Sequence, residues 1–280
     1  MADQVMTAAS NLSVIVPEIW SSRYFDVLRA ELPHSPLISR DYEGEIQNLG
    51  DTVHINQVPE FDDGEELAEA DAAEASAVTV TQQDLVINKR VVKDFIVTKL
   101  GMLQSLPVMD KLRELAIYAI LKKIEKTVIE TIVPSAAAPD HQIGFVTGTT
   151  LALADFLAAK RLLDAADVPQ GSRYACMGTS QANDIFNITG FTSSDFLLAG
   201  SPLGSGQVPS MLLGFSPRMT TLLGNVVEFF HSSFMTMAAQ EGMNVAVYDK
   251  GVDGIRATRV NVDTLYGLKQ LDNKRVVKIS

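Results

Sequence analysis

VMDKLRELAIYAILKKIEKTVIETI, residues 108–132, lies between Pro107 and Pro134 and is the strongest helical pattern in the chain. Leu112, Leu115, Ala119, Ile120, Ile124, Val128 and Ile132 recur at three- and four-residue spacing, while Arg113, Lys122, Lys126 and Glu130 fall largely elsewhere. Proline suits a helix start, where its missing N–H has no partner to lose, and it ends a helix that reaches it. At 1.5 Å per residue the pattern predicts a rod of roughly 36 Å, long for a globular protein. What covers such a rod decides the fold.

Immediately upstream, Gly50-Asp51-Thr52-Val53-His54-Ile55-Asn56-Gln57-Val58 alternates like a strand and stops at Pro59. The acidic stretch Glu60–Ala77 follows, with Asp63-Gly64 as a turn. Val78–Thr81 and Asp84–Val92 then read as the returning strand. Together they predict an extended hairpin with an acidic tip. A lone two-stranded hairpin is marginal in water, so it must lie across another surface. Rod and hairpin are both expected to be completed by further copies of the chain. Further upstream, Val16–Arg29 is a short amphipathic piece with Trp20, Tyr24, Val27 and Leu28 on one face, ended by Pro33 and Pro36. It is too short to stand alone, and Trp20 is expected to sit in a contact.

Downstream, Pro134–Thr149 is a connector rich in proline, alanine and glycine, and Thr150 is expected to cap a helix over Leu151–Ala166. A strand, Arg173–Met177, leads to a short helix, Ser180–Asn187. After the loop Ala199–Ser210 come strands at Asn225–Phe230, Met243–Tyr248, Gly254–Leu268 and Gln270–Ile279. The order hairpin, rod, mixed centre, strands is α+β and not an alternating doubly wound sheet.

The chain has 280 residues, 46% of them hydrophobic, and can bury a substantial core as one large domain or two intimate ones. Its net charge of −11 is localised: between Asp41 and Ala77 stand twelve acids and no lysine or arginine. The rest of the chain, with 22 acids against 23 bases, is near neutral. Generic nucleic-acid binding needs the opposite balance. Apolar stretches break well before the roughly 20 residues of a membrane span, and no secretory leader pattern opens the sequence. The single cysteine, Cys176, closes no internal disulfide and has no Cys/His cluster around it, so neither metal nor cofactor is expected.

One stretch carries an enzyme alternative. Tyr174–Ala182 reads strand, then Gly178-Thr179-Ser180-Gln181-Ala182, then helix, close to the nucleophile elbow of α/β-hydrolases, and Asp195 and His231 follow in that fold's order. Against it, Ser180 is expected as a helix N-cap. The βα units such a fold needs before its elbow are also missing. No P-loop, GxGxxG, HExxH or EF-hand pattern occurs, and the expectation is that the chain is not an enzyme.

The order of these segments resembles the major capsid proteins of tailed bacteriophages, the Hong Kong 97-like fold. Val16-Pro17-Glu18-Ile19-Trp20-Ser21 looks like the family's N-terminal arm, Gly50-Asp51-Thr52-Val53 like the start of its extended loop, and Val91–Leu100 like the return. Val108–Ile132 stands where the spine helix would be. Leu162–Pro169 with Arg173 is similar to the axial domain, and Tyr266-Gly267-Leu268 with Asp272–Val277 to the closing strands of the peripheral domain. The resemblance implies an arm over 1–45, an extended loop over 46–95, a peripheral domain with spine helix over 96–149, an axial domain over 150–250 and returning strands over 251–280. It implies self-assembly into hexamers and pentamers closing an icosahedral virion shell around double-stranded DNA, built in the host bacterial cytoplasm. Scaffolding, portal and decoration proteins would be further partners, with no membrane. An encapsulin-like nanocompartment enclosing enzyme cargo is the alternative on the same fold. Some relatives weld subunits through a loop lysine; Glu60–Ala77 holds none.

Between Lys89 and Lys126 stand nine lysines and arginines against four acids. The expected interface therefore sets Glu60, Asp62, Asp63, Glu65, Glu66 and Glu69 of one subunit against Lys89, Arg90 and Lys93 of its neighbour.

Overall fold

A computed structural model describes residues 29–45, 50–59, 63, 66, 77–99, 109–192, 206–248 and 257–280. Among these the helices are α1 (His34–Leu37), α2 (Met109–Thr131), α3 (Leu153–Ala165), α4 (Thr179–Asp184) and α5 (Thr189–Thr192). The strands are β1 (Thr52–Gln57), β2 (Thr81–Val86), β3 (Lys89–Thr98), β4 (Gln142–Ile143) and β5 (Arg173–Met177), then β6 (Ser216–Met219), β7 (Val227–His231), β8 (Met235–Tyr248), β9 (Ala257–Gln270) and β10 (Val276–Ile279).

A mixed five-stranded sheet, order β4-β10-β7-β5-β6, forms the centre. Its inner strands β10, β7 and β5 are buried on both faces, and the two-residue period of a strand separates two cores. Ala175, Met177, Val227, Phe229, Val277 and Ile279 point to one side and pack with Phe156, Ala159, Leu162 and Leu163 of α3. Cys176, Phe230 and Val276 point to the other and join Ala116, Ile120, Ile124 and Val128 of α2. The antiparallel sheet β3-β9-β8 closes that second core with Val260, Val262 and Tyr266. The architecture is α+β.

The rod is therefore covered by its own chain, which overturns the expectation that it needed copies for burial. The buried stripe also differs from the one read off the sequence. Ala116 faces inward, Leu112 and Ala119 are half-buried, and Leu115 is 36% exposed. Both readings have helical periodicity; the partner strands, from β3 just upstream to β9 more than a hundred residues away, select between them.

The hairpin pairs β1 with β2 from Thr52↔Val86 to Gln57↔Thr81. Its base, through Val53, Leu85 and Ile87, packs on Ala238. The returning strand does not run on as expected. It breaks at Ile87-Asn88, and β3 leaves to pair with β9 from Lys89↔Tyr266 to Thr98↔Ala257. Gly267 of β9 sits at this break: a Cβ there would lie 2.5 Å from the Val86 carbonyl oxygen, so the hairpin crosses the sheet only over a glycine. The closing strands also divide, β9 into the three-stranded sheet and β10 into the five-stranded one beside β7.

Thr150 does not cap α3. The Asp155 carboxylate does, accepting the Ala152 N–H at 2.8 Å and, from the connector, the Val146 N–H at 2.9 Å.

Candidate functional site

Strand register disposes of the elbow. Arg173 pairs with His231 at one end of β5 and Met177 with Val227 at the other. Ser180 lies beyond Met177, so four strand residues, about 13 Å, separate its end of the sheet from that of His231. His231 instead accepts the Ser233 N–H and lies 2.8 Å from the Ser233 hydroxyl. Burial, with Arg275 and Arg173 nearby, lowers its proton affinity. Asp195 lies outside the described residues. Nor is Ser180 the N-cap: Gly178 holds that position, and Ser180 is exposed on the first turn of α4. Gly178 has its own reason to be glycine, because a Cβ there would overlap the Gly224 carbonyl.

Of the expected interface residues, Glu60, Asp62, Glu65, Glu69 and Trp20 lie outside the described residues, while Asp63 and Glu66 are exposed. Arg90 is engaged within its own chain, its Nη2 2.7 Å from Asp263 Oδ2 across β3 and β9. Arg259 pairs with Asp94 in the same way, making a charge ladder on the sheet face away from α2. Lys89 and Lys93 form no ion pair among the described residues. The same holds for Lys122, Lys123 and Lys126 on the outward side of α2.

A third constellation escaped the sequence reading. His34 is fully buried between α2 and the five-stranded sheet, its ring stacked on Phe230 at 5.7 Å. Its Nδ1 lies 2.8 Å from Glu125 Oε1 and its Nε2 3.0 Å from Glu228 Oε2. Glu125 also accepts the His34 and Ser35 backbone N–H groups at 2.8 and 2.9 Å. Lys278 Nζ stands 3.5 Å from the other Glu228 oxygen, which has no hydrogen bond. Burial alone would lower the proton affinity of the ring. Glu125 and Glu228, one at each ring nitrogen, outweigh it and hold His34 well above the ordinary range. Burial pushes the Cys176 thiol up, so it stays neutral and the two carboxylates supply the charge that the imidazolium needs. A signal was present in the sequence: Glu228 interrupts the apolar strand Val226–Phe230, where an acid needs a buried partner. Just upstream, Ala30 exchanges two hydrogen bonds with the Tyr118 hydroxyl, and Arg29 lies over the Tyr118 ring and beside Glu114.

No helix among the described residues is long and apolar enough to cross a membrane. A family profile described as phage capsid protein matches residues 110–280, which span α2 and every element after it. The chain belongs to the phage capsid protein family. Its fold is the Hong Kong 97-like one. A structure from Mycobacterium phage Che8 is similar at 22% identity and a TM-score of 0.78, over 95% of this chain and 97% of that one. The capsid structure of cyanophage P-SCSP1u is similar at 11% identity and 0.76, over 100% and 96%. That of cyanophage Pam1 is similar at 15% identity and 0.72, over 100% and 98%. No curated protein matches the sequence. The capsid protein is thus a structural subunit of a virion shell that associates with itself, and neither the nanocompartment nor the esterase alternative finds support.

Proposed function

We propose that this capsid protein closes an icosahedral shell of hexamers and pentamers around double-stranded DNA, with the acidic hairpin tip of each subunit resting on the basic surface of the next. Charge segregation carries the reading. The acids between Asp41 and Ala77 have no lysine or arginine among them, while Lys89, Lys93, Lys122, Lys123 and Lys126 have no acid paired to them among the described residues. Arg90, held by Asp263, contributes field more than a contact. Each exposed pair is worth only about 0–1 kcal/mol, but a shell repeats the contact at every subunit, so it selects partner and register. A near-neutral body with an acidic segment also keeps the wall from gripping packaged DNA. The role is structural and not enzymatic, needs no cofactor, and is filled in the virion, whose shell is assembled in the host bacterial cytoplasm with scaffolding, portal and decoration proteins as further partners.

In this reading residues 1–45 are the arm and 46–95 the extended loop. The peripheral domain comprises 96–149, apart from β4, with β8, β9 and the β3 strand that pairs with β9, and the axial domain comprises α3, α4 and the five-stranded sheet, to which β10 returns. The segments 150–250 and 251–280 thus each contribute to both domains. Replacing Glu65, Glu66 and Glu69 by lysine should abolish shell assembly at low salt, and adding Lys89→Glu and Lys93→Glu should restore it. Normal shells from the triple variant would refute the contact.

A further inference from the structure

We propose that the doubly protonated His34 ring is a clasp holding the N-terminal segment 29–39 on the body of the subunit, and that alkaline solution opens it while both cores stay folded. The geometry calls for one proton more than a neutral ring and two carboxylates carry, and the raised proton affinity of His34 places it on the ring. A neutral imidazole carries one N–H, and a carboxylate only accepts. Yet both ring nitrogens meet carboxylate oxygens, Glu125 Oε1 on one side and Glu228 Oε2 on the other.

The charged and titratable groups facing the ring come from every element around it. They are Glu125 from α2, Glu228 from β7, Cys176 from β5 and, through Glu228, Lys278 from β10. With the thiol neutral, imidazolium and ammonium balance the two carboxylates. Loss of the ring proton leaves an uncompensated buried charge and turns a lone pair toward a carboxylate, the arrangement interiors tolerate least.

The strain falls on a weak joint. Besides the His34 and Ser35 bonds to Glu125, segment 29–39 is held by the Arg29 and Ala30 contacts to α2, Thr220 to the Glu31 carbonyl, backbone bonds of Ser39 to Ser232 and Met237, and the Thr236 hydroxyl to the Ser39 carbonyl. It supplies Ile38 and part of Leu37 to the second core, whereas α2 and the two sheets hold that core through many apolar residues. Letting the segment go admits water to the carboxylates and leaves most of the second core packed.

Hydrogen exchange of the full-length chain, corrected for the intrinsic base-catalysed rate and read by mass spectrometry from neutral to pH ~10, tests the clasp. The expected result is a loss of protection of more than about tenfold in peptides covering 29–39 as pH rises, with peptides of α2 and β7 unchanged. In Glu228→Gln, which keeps a hydrogen-bonding group but removes one charge, the opening should move to lower pH. In His34→Gln the segment should be open at neutral pH and insensitive to further alkali. Unchanged protection of 29–39 in the wild type up to that pH overturns the proposal, whether or not the variants fold. An opening pH identical in wild type and Glu228→Gln overturns it too, because the trigger would then lie elsewhere.

Discussion

Ile120→Ala and Leu115→Ala form a matched pair on one helix, and the structure predicts very different costs. Ile120 is 1% exposed and packs in the core between α2 and both sheets. The substitution removes three carbons, about 2.4 kcal/mol at about 0.8 per methylene, and leaves a cavity that neighbouring helix and strands are too rigid to fill. The cavity brings the cost to about 3.5 kcal/mol, inside the range of about 2–5 measured for such truncations. Alanine's better helix propensity returns about 0.5 kcal/mol, so the net loss is about 3. Leu115 is 36% exposed, and water replaces what is removed there, so about 1 kcal/mol is expected. At roughly 2–4 °C per kcal/mol for a chain of this class, Ile120→Ala should melt about 6–12 °C lower than wild type and Leu115→Ala at most about 4 °C lower. Circular-dichroism melts of the soluble chain, all at one protein concentration, read both. Equal shifts, or the larger shift for Leu115→Ala, would show that the rod turns Leu115 inward, as read from the sequence, instead of Ala116.

Ser180→Ala should leave stability within about 0.5 kcal/mol and particle yield unchanged, as for an exposed hydroxyl outside any site. Gly178→Ala should destabilise by about 1–3 kcal/mol by forcing the 224 loop away; thermal melts distinguish the two. Asp155→Ala strands the Ala152 and Val146 N–H groups at the start of α3 and should cost about 2–3 kcal/mol, with Asp155→Asn milder, as read by denaturant unfolding. His34 has a raised proton affinity in the folded chain. Its contribution is complete below the ordinary imidazole value of about 6.5 and is lost as pH rises through the raised one. Stability measured across neutral to alkaline pH should therefore decline in the wild type and flatten in His34→Gln.

The strand Arg173–Met177 was legible at both ends, because five residues bounded by Gly171-Ser172 and Gly178 carry their own punctuation. The rod was legible as a helix but not in its orientation, since two overlapping apolar stripes satisfied the same period. Strands β8 and β9 start or end away from where local pattern put them, and β6, with Pro217 inside it, gave no strand signal; its place at the sheet edge is what tolerates the proline. The break at Ile87-Asn88 depends on Gly267, some 180 residues on. Site residues followed the same rule. Acidic and basic segments are visible as composition, but the pairing of Arg90 with Asp263, and of His34 with Glu125 and Glu228, joins side chains far apart in sequence. Two glutamates inside apolar elements were the only trace left in the primary structure.

Electron microscopy of particles purified after expression in a bacterial host addresses the central claim directly. Closed icosahedral shells of uniform diameter, with subunit density matching α2 and the two sheets, are the predicted result. A chain that stays monomeric at every concentration and shows esterase activity abolished by Ser180→Ala would contradict it.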